Sequence, residues 1–131
     1  MKQRLGRMRI LAVACGLLLG GAAAMAQELS KVDPSHVAVK VDNDTLQVTE
    51  VTLKPGEKLA LHSHPAYTLY TIHGGTVRIV YQGGKTEDLV WDHGDVVYGD
   101  PEEPHTTENV GKTTVKILLV EVKGRATTKK K

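Results

Sequence analysis

The sequence predicts an all-β fold, a sandwich or barrel of short antiparallel strands, on three observations. Runs rich in Val, Thr, Ile and Leu have the length of strands, and several alternate apolar with polar residues. Gly or Pro punctuates these runs roughly every 8 to 12 residues, the spacing of small all-β domains. No stretch within residues 27–131 carries a helical period.

Residues 1–26 stand apart from this pattern. Lys2, Arg4, Arg7 and Arg9 form a cationic head, residues 10–23 are an apolar run, and Ala24, Met25 and Ala26 place small residues where a signal peptidase reads them. These are the parts of a secretory signal peptide cleaved after Ala26, so a periplasmic or secreted protein is expected. The apolar run is short for a membrane span and broken by Gly16, Gly20 and Gly21, so no membrane attachment is expected after cleavage.

Cleavage changes the charge and the chemistry. The whole chain has 17 basic and 15 acidic side chains. Without the four basic residues of the leader, thirteen basic face fifteen acidic, a net charge of −2. That balance, in a chain with no Phe, gives no argument for nucleic acid as a partner. The one cysteine, Cys15, leaves with the leader, so disulfides, thiol nucleophiles and thiolate ligands are excluded from the 105-residue mature chain. Any metal site must be built from histidine, carboxylate or water.

The elements follow in order. Residues 27–44 read as a polar entry segment, ordered only by packing, and a first strand over 37–41 in which Val37, Val39 and Val41 alternate. Asp42, Asn43 and Asp44 turn the chain into a strand over 45–53. Pro55 and Gly56 make the next turn, and a strand is expected over 58–64, ended by Pro65. Further strands are expected over 67–72, 76–81 and 85–91, the last two joined through Gly83 and Gly84, then over 96–98, 105–109 and 114–122. The domain proper is thus 45–122. Residues 123–131 end in three lysines, have nothing to bury and are expected to be a disordered basic tail.

Chemistry concentrates at Leu59 to Pro65, where His62 and His64 stand two residues apart. In an extended strand both project to one face, where two imidazoles can share a metal ion. The wider spacing is distinctive. Gly56, His62 and His64 are followed by Gly94, Asp95, Pro104, His105 and Asn109. The pattern resembles the two motif regions of the cupin superfamily, over residues 45–122. The resemblance implies a jelly-roll β-barrel of two packed antiparallel sheets, with His62, His64 and His105 converging on a metal inside it. It also implies a homodimer paired through an outer sheet or a swapped strand.

Two departures from that pattern stand out. The first motif's glutamate would fall at Thr68, and no Glu or Asp occurs between Glu57 and Glu87. The second motif's internal glycine is replaced by Glu102, and its proline sits one place late, at Pro101. Three neutral imidazoles leave the full +2 of a divalent ion uncompensated. Such a face suits Fe, Zn, Ni or Cu and not Mg²⁺ or Ca²⁺. The other reading of the three histidines is a metal-free cavity in which they hydrogen-bond Thr68, Tyr70 or water.

Tyr70, two residues beyond Thr68, is expected to face inward and is the candidate catalytic residue, able to orient or protonate a ligand; filling the core is its other reading. Glu102 or Glu103 is a second candidate, reaching the pocket mouth from the loop before His105. His73 and His93 are expected in turns outside the site, and His36 has no identifiable partner. The sequence therefore supports a metal-dependent small-molecule enzyme such as a dioxygenase. The alternative is a non-catalytic protein of the cell envelope that binds a metal or a small ligand.

Overall fold

Alternation along the strands builds the molecule. In β2 (Leu46–Leu53) every second residue is buried, Gln47, Thr49, Val51 and Leu53, and in β8 (Val115–Val122) the buried set is Val115, Ile117, Leu119 and Glu121. Two strands with one buried face each pair in one sheet, which packs that face against another. The computed structural model describes residues 27–124. The signal peptide expected over 1–26 and the tail beyond residue 124 lie outside the described residues.

Eight strands form two antiparallel sheets. β1 (Val37–Asp42), β2, β8, β3 (Tyr67–His73) and β6 (Val96–Gly99) lie in that order in a five-stranded sheet. β5 (Thr86–Trp91), β4 (Gly75–Tyr81) and β7 (His105–Asn109) make a three-stranded one. Between them sits the core, including Val51, Leu53, Leu69, Val77, Val115, Ile117 and Leu119. The outer face of the larger sheet carries exposed apolar residues, among them Tyr70, Val96, Tyr98 and Val122. Among the described residues no helix is long and apolar enough to cross a membrane.

Two expectations are corrected. Residues 58–64 are not a regular strand. They run beside β7 and pair with it only at isolated bridges, Lys58 with Glu108 and His62 with His105. The cause lies at Ala60, whose N–H is donated to Asp33 Oδ2 (2.9 Å) and whose carbonyl accepts His62 Nδ1 (2.6 Å). With both backbone groups of Ala60 taken by side chains, the ladder is interrupted there.

The entry segment is also more than a polar lead-in. It forms a one-turn helix, α1 (Leu29–Val32), whose Leu29 is buried in the core, and Gln27 accepts the Ser63 N–H. Asp33 also gives His36 a partner, at 2.8 Å from Nδ1.

Candidate metal centre

Local pairing creates the site. His62 and His105 exchange both backbone hydrogen bonds, at 3.0 and 2.8 Å, so they stand directly opposite one another and project side by side. His64 follows two residues on. The three imidazoles pack with ring centroids 4.7 Å (His62 and His64), 4.5 Å (His62 and His105) and 5.2 Å (His64 and His105) apart. One nitrogen from each lies within 4.8 Å of the others, and all three side chains are buried.

The back edge of each ring is tied. His62 Nδ1 lies 2.6 Å from the Ala60 carbonyl, His64 Nδ1 2.7 Å from Glu121 Oε1, and His105 Nδ1 2.9 Å from the Glu103 carbonyl. The two carbonyls can only accept, and Glu121 accepts likewise as a carboxylate, so each Nδ1 is placed to carry the hydrogen and donate it. In a neutral ring that leaves the Nε2 lone pair free. Burial above all pushes His62 down to about 3, and burial likewise lowers His105. Near neutral pH both rings are unprotonated. Three lone pairs fixed in tautomer and gathered at one buried point form the donor set of a divalent transition metal, so the residues fit the ion.

Below the rings the barrel is filled by apolar side chains, including Leu29, Leu53, Leu59 and Leu69. The cavity they leave is about 40 Å³, room for about two or three waters and not for an organic molecule. Above them a wider, open recess is lined by His64, Ser63, Pro65, Pro101, Pro104, Glu102 and Glu121. Ligands would reach the histidines from that side.

β3 also departs from expectation. Tyr67, Leu69 and Thr71 are its buried residues; Thr68 and Tyr70 point the other way. Tyr70 is 41 % exposed and stands beside His93 on the outer surface, and Thr68 donates its hydroxyl to the Val97 carbonyl. Neither lines the cavity. The reason is a bulge. Between Thr71 and His73 the register against β8 slips by one residue, so counting back from Gly75 inverts the parity. Tyr70 is therefore removed as a catalytic candidate, and Thr68 is not the place where a carboxylate would meet the ion.

The tyrosine that does reach the site is Tyr67, its ring 4.9 Å from that of His64. Its hydroxyl donates to Glu102 Oε1 at 2.7 Å, and burial first, then this hydrogen bond, raise the phenol above its ordinary value. Gly99 makes the packing feasible, since a Cβ there would lie 2.2 Å from the Tyr67 ring. Glu102 also sends Oε2 toward His105 Nδ1, 3.6 Å away, buried and without a hydrogen-bond partner among the described residues. The loop carboxylate of the second motif thus does reach the pocket. His73 and His93 are exposed, outside the site.

A family model described as Cupin domain matches residues 49–121. The chain belongs to the cupin family. Solved structures agree on the fold. A cupin domain from Bordetella pertussis Tohama I is 21 % identical with a TM-score of 0.62, the match covering 67 % of this chain and 92 % of that one. A double-stranded β-helix protein from Klebsiella pneumoniae is 21 % identical with a TM-score of 0.56, over 76 % of this chain and 90 % of that one. A predicted oxalate decarboxylase from Thermotoga maritima is 26 % identical with a TM-score of 0.50, over 66 % of this chain and 77 % of that one. No curated protein matches the chain.

Two residues of this cupin's site escaped the sequence reading. Glu121 had a signal, being the one acidic residue in the inward row Val115, Ile117, Leu119, Glu121 of β8. Tyr67 had none, because the bulge that sets its parity leaves no mark in the sequence.

Proposed function

We propose that this cupin is an exported metal-dependent enzyme acting on a small molecule, with His62, His64 and His105 holding a divalent Fe, Zn, Ni or Cu ion. The observation that carries the reading is that each of the three Nδ1 atoms is tied to a carbonyl or carboxylate oxygen, which leaves the second nitrogen of three clustered, buried rings for an ion. When bound, such an ion supplies Lewis acidity and open coordination positions. The residues do the rest. The apolar side chains beneath the rings exclude an organic ligand from the barrel, so it binds from the recess. Glu102, held by the Tyr67 hydroxyl and with a buried free oxygen, is placed to accept a hydrogen bond from that ligand. Export is supported by the leader sequence of residues 1–26.

Co²⁺ tests the reading, because histidine coordination in a low-symmetry site gives visible absorption that hydrated Co²⁺ shows only weakly. One equivalent should develop such a spectrum, which Zn²⁺ should displace and His64→Ala should abolish. A spectrum identical to that of free Co²⁺ would contradict it.

A further inference from the structure

A single acidic side chain interrupts the apolar inner row of β8. At 4 % exposure Glu121 is the most buried carboxylate among the described residues, placed where alternation calls for another Leu or Ile. Taking a carboxylate out of water is costly unless something compensates it. The hydrogen bond with His64 Nδ1 at 2.7 Å satisfies one oxygen, and among the described residues no Lys or Arg pairs with this carboxylate. The same ring packs against His62 and His105, where the three imidazoles could hold a metal ion.

The two features are complementary. Three histidine ligands bring no negative charge to a divalent ion, and no acidic residue between Glu57 and Glu87 offsets it. On the Nδ1 edge of one of those rings sits a buried carboxylate. We propose that Glu121 is a positioning residue that supplies, through His64, the negative charge a first-motif glutamate would place on the ion. Glu121 holds the His64 ring in the tautomer that exposes Nε2 and raises that nitrogen's basicity. Glu102 is the weaker contributor: it is more exposed, and the His105 hydrogen goes to the Glu103 carbonyl instead.

This inference rests on the metal reading, and the test separates the two. Zn²⁺ affinity is measured by competition with a chromophoric chelator, at fixed pH and salt, for the full mature chain and for Glu121→Gln. Glutamine keeps an acceptor for His64 Nδ1 and removes only the charge. Affinity should fall tenfold to a hundredfold, about the effect of losing an outer partner of a metal-bound histidine. The Co²⁺ spectrum should keep its shape, since the ligands are unchanged. A folded variant with the parent's affinity overturns the inference. If Glu121→Gln does not fold, Glu121→Met is measured in its place, and failure of both makes Glu121 a structural residue and overturns it too. A parent chain that binds no Zn²⁺ overturns the metal reading instead.

Discussion

His105→Ala is expected to weaken Zn²⁺ binding by roughly 200- to 4,000-fold while leaving the barrel folded. The size follows from sharing a typical structural-site binding energy among three ligands, about 3–5 kcal/mol for each. The fold survives because the pairing of His62 with His105 is made by backbone groups, which alanine retains. What is lost besides the ligand is one hydrogen bond to the Glu103 carbonyl, worth about 1 kcal/mol. Chelator competition gives the affinity and far-ultraviolet circular dichroism the fold. A folded His105→Ala protein within tenfold of the parent's affinity would mean that this ring is not a ligand.

Asn109→Ala is expected to cost about 3–5 kcal/mol of stability while leaving Zn²⁺ affinity unchanged. Asn109 is 1 % exposed; its Nδ2 donates to the Leu53 and Thr113 carbonyls at 2.9 and 2.8 Å, and its Oδ1 accepts the Gly111 N–H at 3.0 Å. Alanine leaves these backbone groups without a partner in a site too enclosed for water to replace them all, at about 1–3 kcal/mol for each that stays unsatisfied. For a domain of this size that is a fall in melting temperature of more than about 10 °C. Urea unfolding of the metal-free protein checks it, and a loss below about 1 kcal/mol would show that the side chain is not the link between β2, β7 and the turn at Gly111.

Asn109 and His105 were legible because their spacing belongs to a pattern. Asn109 proves to be structural and His105 to be in the cluster. Strands with strict alternation, such as β2 and β8, were legible too, since burial on one face leaves its period in the sequence. Segment 58–64 was not. Its apolar and histidine content reads as a strand, but Asp33, 27 residues away, takes the Ala60 N–H and breaks the ladder. Parity in β3 failed for a related reason: one extra residue at the bulge moved Tyr70 outward and Tyr67 inward. The contact of Glu121 with His64 spans 57 residues and exists only because β8 lies beside β3. Leu29 was hidden similarly, an apolar residue in a mostly polar segment that becomes part of the core while Val32 beside it stays exposed.

The most direct measurement is elemental mass spectrometry on untagged protein isolated from its native compartment, with intact mass recorded on the same sample. The expected result is a mass equal to residues 27–131 and close to one equivalent of iron, zinc, nickel or copper per chain. Metal-free protein from that source, still unable to bind any of these ions when they are added back, would contradict the three-histidine centre.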